Sequence, residues 1–292
     1  MRVVSAVAVL LTASVLVSAA TSRGTGANAE ITFTCPHALC VVDPDGSRRS
    51  VLLTAWYDSY GDPGWSRDGT SLAFFVGYSD THKIAVFRVA TRDRVELPRS
   101  RDAESFDPTW SPDGTRIAVT EITGRGVVYG VQDSTIEILS LATASHAAPA
   151  RYARVTKPRA GRIDTEPAWS PDGRTIAFVR QTRRTPPTIF LIGADGRGER
   201  RLTLGRSPSW SPDGVRLAFA RDRVVYVQVV GGGGPRRILR GVRHPLVRWS
   251  PDGTKILVAS GRNAWVTGAD GRHRVRVLHE AGDIEGVAWR PG

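Results

Sequence analysis

The 292-residue sequence lacks the patterns of several protein classes. It has only two cysteines, no heptad repeat, and no second long apolar run after the one at its N-terminus. A coiled coil and a polytopic membrane protein are therefore excluded. There is no Gly-x-Ser-x-Gly motif, and the six histidines show no metal-ligand spacing, which argues against conventional hydrolase chemistry.

Lysine is scarce, and Lys83, Lys157 and Lys255 are the only three. The formal net charge of +12 therefore comes from arginine. An arginine excess is the expected imprint of a GC-rich genome, so we expect no nucleic-acid partner from charge alone. A basic surface still attracts anionic envelope polymers or a membrane surface weakly.

The N-terminus differs in composition from the rest of the chain. Arg2 precedes an almost wholly apolar run at residues 3–20, and Ala27-Asn28-Ala29 forms a small-residue cleavage site. These features predict a signal peptide over residues 1–29 and an extracytoplasmic mature protein over residues 30–292. The alternative is an uncleaved anchor that tethers the protein, because the run is at the lower length limit for a membrane span.

Cys35 and Cys40 lie just after this cleavage site. In an exported protein, the pair predicts a disulfide that closes a small hairpin loop and contributes about 2 kcal/mol. A zinc site would need more ligands than these cysteines and His37 supply.

Six tryptophans recur with a period of roughly forty residues, which is typical of a β-propeller. Five of them begin a Trp-Ser-x-Asp-Gly phrase, and the sixth begins a truncated copy. Serine, aspartate and glycine in this order form a tight turn, and a short apolar strand follows each one. The six are Trp65, Trp110, Trp169, Trp210, Trp249 and Trp289.

The truncated copy at Trp289 supplies one strand, and three further strands are found at the other end of the chain. Residues 31–34, 39–46 and 48–54 have the patterns of a second, third and fourth strand. We therefore predict an all-β fold, a six-bladed β-propeller of four-stranded antiparallel blades. One C-terminal strand plus three N-terminal strands would close it and remove the free edges, giving a monomer.

The Trp-Ser-Pro-Asp-Gly phrase, the Ile-Ala-Phe-type strand after it and the later Arg-Arg-Leu-Thr-type strand closely resemble the WD40-like (PD40) repeats of the TolB family propeller. The resemblance covers residues 31–292. It implies a propeller on the exported side of a membrane that acts through protein contacts. The proteins for which the family is named carry an α/β domain before the propeller, and peptidases with related repeats carry a hydrolase domain. Neither has a counterpart in this sequence, so the resemblance implies the fold more strongly than a particular role.

Acidic residues precede four of the tryptophans, and a histidine precedes a fifth. Since each tryptophan lies on an innermost strand, we expect these side chains around one mouth of the central channel. The predicted partner-binding residues are Asp62, Asp107, Asp164, Glu166, His244, Asp283 and Glu285.

Three interpretations of this acidic ring remain open. The ring could receive a cationic or metal-bridged segment of a protein partner. It could instead hold a divalent cation, with calcium favoured, in a lactonase-like or lyase-like enzyme. The carboxylates could also only stabilise their own loops through local hydrogen bonds. From these we predict a non-enzymatic scaffold that binds an envelope or extracellular protein through the channel mouth and adjoining loops, without a cofactor.

Overall fold

The computed structural model describes residues 28–55, 59–77, 81–97, 103–123, 133–141, 151–280 and 282–292. The predicted signal peptide lies outside the described residues, apart from Asn28 and Ala29 at its end. Within the described ranges, no helix has the length and apolar character needed to cross a membrane.

Twenty-four strands make up the described part of the chain. The first three are β1 (Asn28–Cys35), β2 (Ala38–Val42) and β3 (Ser50–Thr54). The next four are β4 (Ser59–Trp65), β5 (Ser71–Gly77), β6 (His82–Arg88) and β7 (Arg94–Glu96). They are followed by β8 (Ala103–Trp110), β9 (Arg116–Thr123), β10 (Asp133–Ser140) and β11 (Arg151–Arg154). Then come β12 (Arg162–Trp169), β13 (Thr175–Thr182), β14 (Thr185–Gly193) and β15 (Arg200–Leu204).

The remaining strands repeat the same pattern. They are β16 (Arg206–Trp210), β17 (Arg216–Arg221), β18 (Val224–Val229), β19 (Arg236–Arg240), β20 (Leu246–Trp249), β21 (Lys255–Ser260), β22 (Asn263–Gly268), β23 (Val275–His279) and β24 (Val287–Pro291). The strands that end at or contain the repeated tryptophans, namely β4, β8, β12, β16, β20 and β24, are called the inner strands below.

Four four-stranded antiparallel sheets are the blades of an all-β propeller. Three of them run in chain order, as β4–β7, β16–β19 and β20–β23. The fourth has the order β24-β1-β2-β3, so the C-terminal strand pairs with the N-terminal strand along Phe33↔Val287 and Ile31↔Trp289.

The prediction of six four-stranded blades is wrong. Strands β8–β15 form one eight-stranded sheet, in which β10 and β12 are joined by a parallel pairing at Ser134↔Ile163. The buried Ser134 hydroxyl also donates to the Asp164 carbonyl at 2.8 Å. This sheet is curled, because its two halves face each other across a core that contains Ile136 and Trp169.

The hydrophobic core lies between neighbouring groups of strands. The second strand of each repeat is buried on both faces, which explains its continuous apolar run. Its phenylalanines, such as Phe74, Phe178 and Phe219, have no exposed surface. Each sheet is therefore stabilised mainly by the sheets on either side of it.

The Trp-Ser-x-Asp-Gly phrase forms the turn between the inner strand and the second strand. In the third full copy, the Ser170 hydroxyl donates to Asp172 at 2.5 Å, and the Gly173 N–H donates to the Ser170 carbonyl at 2.9 Å. Gly173 has a φ of 70°, which explains why glycine ends the phrase. The hydrogen bond from Ser170 lowers the pKa of Asp172 below its ordinary value.

The predicted disulfide between Cys35 and Cys40 is confirmed. It joins β1 to β2 across the hairpin turn at His37, whose φ is 54°. Both strands belong to the sheet that contains β24, so the disulfide lies beside the pairing of the two chain ends.

Candidate functional site

A channel of ≈ 560 Å³ runs along the inner strands. Each inner strand contacts the next one along the chain, and β24 contacts both β20 and β4. The third residue before the tryptophan lines the channel on five of the six inner strands, and these residues are Asp62, Asp107, Glu166, Ser207 and Leu246. One end of the channel is therefore acidic.

A backbone irregularity turns the acidic residues into the channel. On four inner strands the register shifts across this position, for example between Gly61 and Gly64. Asp62, Asp107 and Glu166 have φ angles of 46°, 51° and 54°, so each is in the left-handed region that non-glycine residues rarely adopt. A proline follows each of them, which restricts the backbone further and fixes the bulge.

Each acidic side chain also accepts a hydrogen bond from the next inner strand. The Asp107 N–H donates to Asp62. The Glu166 N–H donates to Asp107 Oδ2 at 3.1 Å, and the Ser207 N–H donates to Glu166 Oε2. The Ser207 hydroxyl in turn accepts from the Val247 N–H at 2.8 Å. This relay links successive inner strands and uses part of the acceptor capacity of each carboxylate.

Ionisation of the carboxyl groups at the acidic end of the channel is unfavourable. Burial raises the pKa of Asp62 well above its ordinary value, and the neighbouring Asp107 carboxylate adds to this effect. Burial and Asp107 likewise raise the pKa of Glu166. The Arg248 guanidinium opposes both shifts. A cation that entered this end would relieve the repulsion between the carboxylates.

Arginines occupy two other positions in the channel. Arg248 Nη1 donates to the Ser207 hydroxyl at 3.3 Å. Arg67 stands where the other four full copies of the phrase have proline, and its Nη1 donates to the Pro171 carbonyl at 3.2 Å. Because Arg67 follows β4 and Pro171 follows β12, this side chain extends over the channel at the end opposite the carboxylates.

The structure brings together three of the seven predicted site residues, namely Asp62, Asp107 and Glu166. Asp164 is fully buried outside the channel, where Arg162 and Arg180 contact its carboxylate at 3.0 and 2.7 Å. Burial raises the pKa of Asp164 to about 6, against the effect of Arg162. Asp164 is thus part of an ion-pair cluster.

His244, Asp283 and Glu285 are exposed and do not line the channel. Glu285 precedes Gly286, at which a Cβ atom would lie 2.7 Å from the backbone nitrogen of Asp62. Glu285 therefore lies next to the acidic end of the channel. Ser207, Arg248 and Arg67 were missed as site residues, although Ser207-Pro208 has the same offset from its tryptophan as Asp62-Pro63 and so carried a readable signal.

No metal centre is ready-made in the described ranges. No three His, Cys, Asp or Glu side chains are grouped there closely enough to hold a metal ion. The carboxylates of Asp62, Asp107 and Glu166 instead each bond to the backbone of a neighbouring inner strand.

Replacing Asp62 with asparagine is expected to stabilise the protein above neutral pH. Because the pKa of Asp62 is raised in the folded state, the unfolded chain releases this proton first as the pH rises through its ordinary pKa of 3.8. The free energy of unfolding therefore falls from that pH up to the folded-state pKa, and the loss persists above it. Asparagine does not ionise, so Asp62→Asn avoids this loss of stability. Each kcal/mol gained in the free energy of unfolding raises the melting temperature by roughly 2–4 °C.

The melting temperatures of wild type and Asp62→Asn, measured from acid to alkaline pH, check this expectation. The two curves should converge at acid pH and separate as the pH rises. Asp283→Asn, which removes an exposed carboxylate, is the matched control and should follow wild type. A lower melting temperature of Asp62→Asn at pH 8 would show that ionised Asp62 is a net stabiliser.

Comparisons with known proteins agree with this geometry. A family model described as the TolB beta propeller domain matches residues 27–292. The Tol-Pal system protein TolB of Bordetella pertussis is 31% identical over 160 residues, which are 55% of this chain and 33% of that protein. The chain thus spans about a third of the length of that curated relative.

Solved structures show a likeness of fold. TolB from Acinetobacter baumannii matches with a TM-score of 0.76 and 19% identity, covering 91% of this chain and 68% of that one. A chain of the nidogen/laminin complex matches with a TM-score of 0.69 and 10% identity, covering 88% of this chain and 97% of that one. With the family match over all described residues, these findings lead to one conclusion: this chain belongs to the TolB β-propeller family.

Proposed function

We propose that this protein is an exported, non-enzymatic propeller scaffold that binds a protein partner at the acidic end of its channel. The observation that carries the proposal is the convergence of Asp62, Asp107 and Glu166 on one channel. Their proximity and burial raise the pKa of Asp62 and Glu166, so the site favours an incoming positive charge.

The partner offers a basic segment to this site. A channel of ≈ 560 Å³ has room for a few side chains and not for a folded domain. A lysine or arginine of such a segment would use the carboxylate acceptor positions that the backbone relay leaves open. The exposed Glu285 beside this end would extend the negative surface to the rest of the segment.

The relatives support a role in a protein assembly outside the cytoplasm. One of them is named a Tol-Pal system protein. The apolar N-terminus and the disulfide between Cys35 and Cys40 favour the same compartment. We therefore place the partner in the cell envelope or the extracellular space.

A scaffold role fits the bonding of the carboxylates better than an enzymatic one. Asp107 and Glu166 are held by backbone N–H groups of neighbouring strands, which fixes their positions and keeps their oxygens from converging on one ion. A metal-dependent enzyme remains the alternative, and calorimetry with calcium would reveal it as tight binding that Asp107→Ala together with Glu166→Ala abolishes.

Capture from an envelope extract tests the proposal. The triple variant Asp62→Asn, Asp107→Asn, Glu166→Gln keeps hydrogen-bond acceptors for the relay but removes three ionisable carboxyl groups. We expect it to retain a partner about 10-fold less than wild type or weaker, since charge complementarity is lost. The control removes the same number of carboxyl groups from exposed turns, through Asp45→Asn, Asp93→Asn and Asp195→Asn. Equal capture by both variants would contradict the proposal.

A further inference from the structure

Charge is distributed very unevenly along this chain. Residues 151–280, which contain β11–β23, hold 26 arginines and lysines against 10 acidic residues. Residues 28–150, which contain β1–β10, hold 11 against 16. A GC-rich genome would raise arginine along the whole sequence, so it does not explain this asymmetry. One half of the propeller is strongly basic, and the other half is mildly acidic.

The fourth strands of the basic half carry arginine at one repeated position. Arg201, Arg237 and Arg276 are each exposed, and they lie on β15, β19 and β23. In the strand ladders they pair with Phe190, Tyr226 and Trp265. The corresponding pair on β3 and β2 is Val51 with Cys40, which carries no charge. We call Arg201, Arg237 and Arg276 the arginine rim.

The aromatic residues opposite the arginine rim are already covered by other arginines. The guanidinium carbon of Arg180 lies 4.5 Å from the ring centre of Phe190. Arg221 lies 4.5 Å from the ring of Tyr226, and Arg274 lies 4.4 Å from that of Trp265. In each of the three sheets, the ring paired with a rim arginine thus already carries a second guanidinium.

The rim arginines are not neutralised by any residue that the structure describes. In the described ranges, none of the three makes an ion pair or a side-chain hydrogen bond. Other arginines of this half do so, as Arg180 does with Glu199. The fork-shaped donors of Arg201, Arg237 and Arg276 are therefore available for carboxylates of a ligand.

We propose that the arginine rim binds a flexible, linear acidic polysaccharide that follows the outer edge of the basic half. The three rim arginines lie on the edge strands of three successive groups of strands, which one flexible chain can follow. Nucleic acid is less suited, because single strands bind through bare aromatic rings and these rings are covered. The rim lies on the fourth strands and the channel on the inner strands, so this proposal does not depend on the proposed function.

Equilibrium binding to polygalacturonate, a polyuronate of repeated carboxylates, tests the arginine rim. Arg201→Gln, Arg237→Gln and Arg276→Gln combined should weaken binding roughly 10-fold or more, as expected for the loss of three exposed ionic contacts. Binding by wild type should also weaken steeply with added salt, and less steeply in the variant. The control, Arg48→Gln, Arg88→Gln and Arg92→Gln, removes the same number of arginines from the other half and should bind as wild type does.

Further measurements separate the rim from general basicity and from misfolding. The lysine version, Arg201→Lys, Arg237→Lys and Arg276→Lys, keeps the charge and should recover most of the affinity. The glutamine version should keep the wild-type melting temperature, since the three side chains are exposed. Equal losses in the rim variant and the control would overturn the proposal. So would stronger rim-dependent binding to anionic lipid vesicles or to single-stranded DNA than to polygalacturonate.

Discussion

Removal of residues 287–292 is expected to abolish the cooperative unfolding of the protein. These residues form β24 and its end, which pair with β1 and contact both β4 and β20. Val287 is fully buried and Trp289 is nearly so, in a core that also contains Ile31 and Phe33. Deletion would leave the edge of β1 unpaired and open this core to water.

Denaturant unfolding followed by tryptophan fluorescence and by circular dichroism measures the effect. We expect a shallow transition with a reduced slope against denaturant concentration, because less surface remains to be exposed on unfolding. Arg290→Ala is the control, since it removes the contacts of the Arg290 side chain with Glu30, Trp65 and the Gly69 carbonyl but leaves the strand in place. A truncated protein with wild-type stability and slope would contradict the role assigned to β24.

Trp65→Ala is expected to lower the free energy of unfolding by about 3–5 kcal/mol. The indole of Trp65 is 9% exposed, and its Nε1 donates to the Thr32 hydroxyl of β1 at 2.8 Å. Arg290 of β24 stacks on its other side, 4.7 Å from the ring centre. The ring thus lies among three strands, β1, β4 and β24, and alanine would leave a cavity between them.

Thermal and denaturant unfolding of Trp65→Ala should be compared with Trp265→Ala. Trp265 is half-buried on the third strand of its sheet, so its removal should cost less than half as much. Equal losses in the two variants would show that the repeated tryptophans are no more important to the fold than a half-buried tryptophan outside the repeated phrase.

The repeats made much of the fold predictable, because a turn phrase depends on local backbone chemistry. The Trp-Ser-x-Asp-Gly turns, the buried second strands and the disulfide follow from residues close in sequence. The eight-stranded sheet does not. It depends on a pairing of Ser134 with Ile163, and no pattern within β10 or β12 indicates that these strands meet.

The candidate site was predictable only where the offset from tryptophan was right. Asp62, Asp107 and Glu166 stand three residues before tryptophan and precede proline, so the bulge turns each into the channel. Asp164 stands two residues too early and joins Arg162 and Arg180 instead. His244 also precedes proline, but five residues before Trp249, and it is exposed.

Bonds to distant residues could not be read from the pattern. The hydrogen bond that the Glu166 N–H donates to Asp107 joins positions 59 apart in sequence. It forms only because the fold places two inner strands side by side. The position of Arg67 across the channel from Pro171 has the same origin. The overall net charge also does not show the division of the propeller into a basic and an acidic half, because it sums over the whole chain.

Site-specific photo-crosslinking tests most directly whether a protein binds at the acidic end of the channel. A photoreactive amino acid would replace Glu285, which is exposed beside Asp62, and Val229, which is exposed on the third strand of its sheet. In an envelope extract we expect a discrete protein adduct from position 285, which Asp62→Asn, Asp107→Asn and Glu166→Gln combined would abolish. An adduct from position 229 but none from position 285 would contradict the account.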